Sequence, residues 1–245
     1  MKIALISDIH GNLHSFDKVL NALDDEAPDQ ILCLGDVAAT GPQSRQCVAR
    51  LRARNIPCIM GNADAWLLDP QPSANPSDFI RFVEEIDLWC AAQLAADDIA
   101  YLQAAQPTIE VALPGHKPLL CYHGSPHSFN DGIRPTTSEE ELAQWIAGSA
   151  AQIYAGGHTH QQMFRRYRDA VVLNPGSVGM AYELDRQTGA ARNVGWAEYA
   201  IIEVDASGRL QIDLRRLPVD VDIIVQNALD SGMPRAAEWV EHWVN

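Results

Sequence analysis

Short apolar runs, each stopped by a polar cluster, alternate along the first part of the chain with segments whose apolar residues recur at helical spacing. Lys2–Ser7 (KIALIS) suits a strand buried on both faces. The polar stretch Asp8–Asn12 (DIHGN) follows, and Phe16, Val19, Leu20 and Leu23 then mark one face of a helix that Pro28 brings to an end. The unit recurs: Ile31–Leu34 predicts a strand, Gly35-Asp36 and Gly41-Pro42 a loop, and Cys47, Val48 and Leu51 a helix. Ile56–Met60 predicts a third strand, ending at Gly61-Asn62. Strand and helix alternating through short connections indicate parallel βαβ units.

Residues 64–105 read differently. Pro70, Pro72 and Pro76 break the beginning, and Phe79–Leu102 is Ala-rich with helical spacing, so one or two helices are expected in a cap-like insertion or partner surface. Strands are predicted near 108–112, 118–122, 151–155, 163–168, 170–173, 197–204 and 209–215, with a turn at Asp205–Gly208 and a helix over Thr137–Ala147. Two helices, near 221–230 and 235–243, make up a C-terminal segment over 217–245. No linker or repeat interrupts residues 1–245, so one α/β domain of two sheets with outer helices is the economical expectation.

Composition narrows the class. Apolar residues make up 47% of the 245, enough to fill one extended core, and no run approaches the ~20 residues of a membrane span. Neither the first apolar run nor its flank resembles a leader peptide, so a cytoplasmic protein with no membrane partner is expected. The five cysteines, Cys33, Cys47, Cys58, Cys90 and Cys121, are odd in number and lack CxxC spacing, which favours reduced core thiols over disulfides or thiolate metal ligation. A net charge of −14 with no Lys/Arg block argues against duplex nucleic acid as a partner. Bound cations would still let an acidic chain attract a small phosphate ester.

The candidate chemistry lies at strand ends. Asp8 and His10 follow the first predicted strand, Asp36 the second and Asn62 the third. His123 follows Leu119–Tyr122, and His158 and His160 follow Ile153–Ala155. Ligands of open α/β sheets bind beyond the carboxyl ends of strands, so five runs would deliver metal-binding side chains to one edge. Asp supplies hard oxygen, His a neutral imidazole and Asn an uncharged carbonyl, while flanking glycines permit sharp turns. Each motif alone has an ordinary explanation: Asp-x-His as a solvated loop, Gly-Asp and Gly-Asn as turns. The pair in Gly157-His158-Thr159-His160 is stronger, because two imidazoles two apart in an extended segment face one way. Their common order at successive strand ends is what argues against coincidence.

The set DIH (8–10), GD (35–36), GN (61–62), HG (123–124) and GHTH (157–160), with NPGSVG (174–179) as a further segment, resembles the calcineurin-like metallophosphoesterases. It looks closest to the YfcE-like phosphodiesterases, over residues 2 to about 180. The resemblance implies a four-layer αββα sandwich of two mixed β-sheets flanked by helices. It implies that Asp8, His10 and His160 bind one divalent ion, that Asn62, His123 and His158 bind a second, and that Asp36 bridges them and holds a nucleophilic water. Such N/O ligation suits transition metals, Mn first, with Fe, Ni, Co or Zn as alternatives. In many relatives a His follows the Asn and serves as the acid for the leaving group; here Ala63 stands in its place and cannot donate a proton. Asp64 or His127 could substitute, although Asp64 also suits an N-cap. Asn12, His127 and Arg134 are candidate substrate contacts, with a turn Asn, a surface His and a solvated Arg as their ordinary alternatives. His14, His116 and His242 read as surface histidines, NPGSVG as a structural turn, and Trp66, Trp89, Trp145 and Tyr101 as core before base-stacking platform.

The expected function is hydrolysis of a small phosphodiester or phosphoanhydride, nucleotide-like, whose leaving group needs little protonation. The alternatives are a Ser/Thr protein phosphatase, disfavoured by Ala63, and a non-catalytic Vps29-like interaction scaffold, disfavoured because all seven ligand positions are filled. A homo-oligomer is compatible with the 64–105 segment.

Overall fold

The computed structural model describes residues 1–243. In chain order the elements are β1 (Lys2–Ile6), α1 (Leu13–Glu26), β2 (Gln30–Cys33), α2 (Ser44–Ala53), α3 (Asn62–Leu68), α4 (Asp78–Gln93) and α5 (Ala96–Gln103). Next come β3 (Thr108–Val111), β4 (Leu119–Tyr122), α6 (Glu139–Trp145), β5 (Ile153–Ala155), β6 (Met163–Tyr167) and β7 (Ala170–Asn174). The chain continues with β8 (Tyr182–Leu184), β9 (Ala191–Asn193), β10 (Trp196–Val204), β11 (Leu210–Pro218), α7 (Val221–Asp230) and α8 (Ala236–Val240).

Two mixed sheets form, in the orders β11-β10-β1-β2 and β3-β4-β5-β7-β6. β1 pairs parallel with β2 and antiparallel with β10; β5 runs parallel to both β4 and β7. Alternation along β1 explains the layering, because successive side chains point to opposite faces. Ile3 and Leu5 meet Leu119, Cys121, Ile153 and Leu173 of the second sheet in one apolar layer. Ala4 and Ile6 instead join Phe16, Val19, Leu20 and Leu23 of α1. On the far side Leu120, Tyr122 and Tyr154 pack with Leu142 and Ile146, at the end of α6. The α/β architecture of two mixed sheets flanked by helices is thus as expected from the sequence.

Three expectations change. Ile56–Met60 runs beside β2, where Cys33 N–H donates to Pro57 O and Ile59 N–H to Cys33 O. It pairs only through isolated bridges, Cys33 to Cys58 and Ile59 to Gln106, so no extended strand forms. Pro57 has no N–H to offer a ladder, and α3 begins immediately after the segment. The hairpin β8–β9 was not anticipated: Tyr182–Leu184 and Ala191–Asn193 are mostly exposed and show no apolar alternation. The helices expected over Phe79–Leu102 are present as two, α4 and α5, with the short α3 ahead of them. Leu67, Phe82, Ile86, Cys90 and Leu102 enter the same apolar cluster as α1 and α2. In the C-terminal segment, residues 244–245 lie outside the described residues, and the last helix is shorter than 235–243.

All five cysteines are free and buried. No helix among the described residues is long and apolar enough to cross a membrane.

Candidate metal centre

Backbone hydrogen bonds tie the strand-end loops together. Asp8 N–H donates to Gly35 O (3.0 Å), His10 N–H to Asp36 O (3.0 Å), Gly157 N–H to His123 O (2.8 Å) and Gly179 N–H to Asp8 O (3.0 Å). Asp8, His10, Asp36, His158 and His160 all have φ between 46° and 66°. This left-handed region is costly for side chains other than Gly and Asn, and a cluster of such residues marks a site held against strain.

The side chains converge as two triads, Asp8–His10–His160 and Asp36–His123–His158, with the donor atoms of each within 4.8 Å of one another. His10 Nε2 lies 3.0 Å from His160 Nε2, and His160 Nε2 lies 3.4 Å from Asp8 Oδ1. Asp36 Oδ2 faces both groups, 3.3 Å from His123 Nε2 and 3.8 Å from His10 Nε2. Its Oδ1 accepts the Ala63 N–H at 2.9 Å. The segment Gly157–His160 is therefore not extended, and its two imidazoles enter different triads instead of facing one way.

Three of the histidines have Nδ1 against a backbone carbonyl: His10 on Ala39 O (3.1 Å), His123 on Leu34 O (2.7 Å) and His160 on Met180 O (3.1 Å). In the neutral tautomer Nδ1–H donates there and the Nε2 lone pair faces the triads, the arrangement typical of a metal-binding imidazole. Asn62 Oδ1 lies 3.0 Å from His123 Nε2, 2.8 Å from His158 Nδ1 and 3.3 Å from Asp36 Oδ2. A protonated His123 can donate to this oxygen, while His158 Nδ1 and Asp36 Oδ2 beside it are donors of the kind a cation binds. Turned over, the amide would donate to His158 Nδ1 and Asp36 Oδ2 and accept from Ala63 N–H. The donor set thus fits divalent transition metal, and these seven residues could hold it.

A family model for the calcineurin-like phosphoesterase superfamily domain matches residues 1–204. The chain belongs to the calcineurin-like phosphoesterase superfamily. An uncharacterized protein of Methanocaldococcus jannaschii is 28% identical to it, covering 97% of this chain and 95% of the relative. Among solved structures, a metallophosphoesterase from Sphaerobacter thermophilus superposes with a TM-score of 0.73 at 23% identity, covering 99% of this chain and 97% of that one. A hypothetical protein from Pyrococcus horikoshii gives 0.74 at 16%, covering 98% and 96%. At these identities the two structures show a shared fold.

The electrostatics of this phosphoesterase centre are those of paired charges. Burial opposes ionisation of Asp36, but His123 and His10 beside it hold its carboxyl far below the ordinary range. Burial would likewise lower His123, yet the Asp36 and Asp8 carboxylates push it up to about 10. Burial and the neighbouring His160 push His10 down to about 4. Burial opposes the charge on His160 as well, and Asp8 overrides it and raises the group.

Other sequence candidates are placed elsewhere. Asn12 caps α1, accepting the Ser15 N–H and donating to Gly179 O, with almost no exposure. His127 is exposed, with Nε2 on Ala147 O, and Arg134 is exposed beside Gly132 O; neither lines the cleft over the triads. Asp64 is not an N-cap. It lies inside α3, fully buried, and its carboxylate accepts the N–H groups of Val37 and Ala38, bracing the loop that carries Asp36. NPGSVG acts structurally as expected: Asn174 donates to Gly157 O and Ser177 Oγ to Asp8 O. Trp66 is only half-buried and walls the cleft together with Ala63.

Asp87 in α4 was not anticipated, because a lone Asp inside a helix carries no motif. It lines the cleft, is 4% exposed, and accepts the Thr40 N–H (2.6 Å) and Oγ–H (3.0 Å). Burial pushes its carboxyl up to about 7. A raised carboxyl is penalised once ionised, so its contribution to stability is lost as pH rises from about 4 to about 7, by at most about 1.4 kcal/mol per pH unit. Asp87→Asn is expected to gain stability relative to the parent across that window, measured by urea unfolding of metal-free protein. A difference constant with pH would mean that Asp87 ionises without cost.

Proposed function

We propose that this chain is a phosphoesterase using two divalent transition-metal ions, Mn first among them, to hydrolyse a small phosphodiester or phosphoanhydride in the cytoplasm. The single observation that carries this reading is the convergence of two donor triads, Asp8–His10–His160 and Asp36–His123–His158, with Asp36 Oδ2 facing His123 Nε2 at 3.3 Å and His10 Nε2 at 3.8 Å. Asp8, His10 and His160 would hold one ion and Asn62, His123 and His158 the other, with Asp36 reaching both. Bound there, the ions supply an activated water and charge compensation for phosphoryl oxygens.

The protein's own part is orientation. Carbonyl contacts at Leu34, Ala39 and Met180 fix three imidazole planes before any ligand arrives. His158 N–H donates to the Asp8 carboxylate, tying the two triads together. Ala63 offers no proton, Asp64 is turned to the Val37 and Ala38 amides, and His127 to Ala147 O. A leaving group that departs unaided, such as an activated aryl oxide, fits this set better than the serine alkoxide of a phosphoprotein.

Metal analysis of the protein as purified is expected to give about two transition-metal ions per chain. With added Mn, a bis-aryl phosphodiester should be turned over faster than an aryl monoester, and a phosphopeptide least. Preference for the phosphopeptide would reverse the substrate assignment. A folded, metal-free, inert protein would instead make this chain an interaction scaffold.

A further inference from the structure

We infer that the two ester arms of the substrate occupy separate pockets flanking the first turns of α4, and that the arm beside His160 is an uncharged aromatic group. This rests on the phosphoesterase reading above and specifies its substrate. The cleft over the triads, about 480 Å³, runs along one side of α4 through Ile80, Glu84 and Asp87 to Trp66 and Asn62. A second cavity of about 260 Å³ lies along the other side, through Phe82, and continues to Tyr182 and Trp239. Phe79 and Val83 belong to both walls, as does Thr40, so the helix edge is a ridge between two recesses. Both recesses also reach His160. The Tyr182 ring stands 6.5 Å from the His160 ring, which sets the second cavity directly against one triad.

The chemistry of the walls selects the occupant. Among the described residues neither cavity is lined by Lys or Arg, while the larger carries Glu84 and Asp87. Arg235 stacks on the Phe82 ring at 5.1 Å, but Glu238 and Glu85 already pair with it. A second or third phosphate of a polyphosphate would find no Lys or Arg in either cavity, with His242 in the smaller one, and would face carboxylates in the larger. A neutral arm meets no such penalty. The smaller cavity is walled by Phe79, Phe82, Met180, Tyr182 and Trp239, surfaces that reward a flat apolar ring through burial and ring contact. Its volume lies at the small end for ligand pockets and suits one ring system rather than a dinucleotide half with its own phosphate. Phe79, 66% exposed, would gain cover from such a ring. The substrate class assigned is thus a phosphodiester with uncharged arms, at least one of them aromatic, and not a phosphoanhydride.

The test uses the Mn-loaded protein and two non-hydrolysable diester mimics, dibenzylphosphinate and diethylphosphinate, with binding read by calorimetry. Dibenzylphosphinate is expected to bind at least about tenfold more tightly. Ala191 is exposed at the mouth of the smaller cavity, and Ala191→Trp fills it; the preference should fall to about onefold to threefold. Phe79→Ala, at a surface position, should lose part of it. In turnover, the ratio of kcat/KM for bis-p-nitrophenyl phosphate over methyl p-nitrophenyl phosphate should drop with binding in both variants. Equal binding of the two phosphinates, or a preference untouched in both variants, would overturn the pocket assignment while leaving the phosphoesterase reading intact if diesters are still cleaved. Faster cleavage of a dinucleoside polyphosphate than of the bis-aryl ester would overturn the assignment of substrate class. A protein that binds neither phosphinate and cleaves no ester would overturn both readings.

Discussion

Asp36→Asn is expected to lower phosphoester turnover by more than about a hundredfold while leaving the fold intact. Loss of groups that merely support a metal ligand already costs about 10- to 100-fold, and Asp36 Oδ2 faces both triads itself. The fold should survive because Asn keeps an oxygen for the Ala63 N–H, the one backbone donor that Asp36 satisfies. The charge is what disappears. In the metal-free protein His123 is raised to about 10 by the Asp36 and Asp8 carboxylates, so at neutral pH it is a buried imidazolium paired with Asp36. Metal uptake must displace that proton, so affinity rises with pH and binding releases protons. In Asp36→Asn the His123 charge loses its main partner, and proton release on Mn binding should shrink together with the metal content. Turnover near that of the parent, with circular dichroism and melting unchanged, would rule out Asp36 as the group shared by both ions.

Gly41→Ala is expected to be among the most damaging single-methyl changes near the centre, costing about 3 kcal/mol or more and lowering Tm by roughly 10 °C. A Cβ at Gly41 would stand 1.8 Å from His10 O, 2.7 Å from His10 C and 3.1 Å from Gly11 Cα. These are backbone atoms of a loop fixed by His10 N–H to Asp36 O and Gly11 N–H to Val37 O, so nothing flexible can yield. Relief requires moving the carbonyl and with it the His10 ring, which should also reduce metal content. Gly208→Ala is the control: the space around it is open, and the only cost is its φ of 82°, about 1–2 kcal/mol. If Gly41→Ala melts no lower than Gly208→Ala, the loop is softer than its hydrogen bonds imply.

The seven polar positions were legible because each interrupts or ends an apolar run, and an Asp or His there has no hydrophobic reason to be present. Burial of β1 on both faces followed from the same runs, since an uninterrupted apolar strand needs a partner on each side; the strand orders of the two sheets came only from the structure. The hairpin β8–β9 was not legible, because an exposed ribbon needs no apolar pattern. Asp64 was misread for a different reason: proximity to a helix start suggests capping, while its buried carboxylate is bonded to amides 27 and 26 positions back.

From its residues alone this chain determined which side chains carry metal-type donors, that six of the seven follow strands, and that Ala63 removes a proton donor; Asn62 instead opens α3. Only the tertiary structure decided that His158 and His160 part company into different triads, that His127 and Arg134 turn away, and that Asp87, Tyr182 and Trp239 come to wall the cavities. The physical reason is that a strand end sets the position of a side chain but not its direction. Direction follows from a left-handed φ at five of the seven positions and from carbonyl contacts such as His123 on Leu34 O, 89 residues apart in sequence.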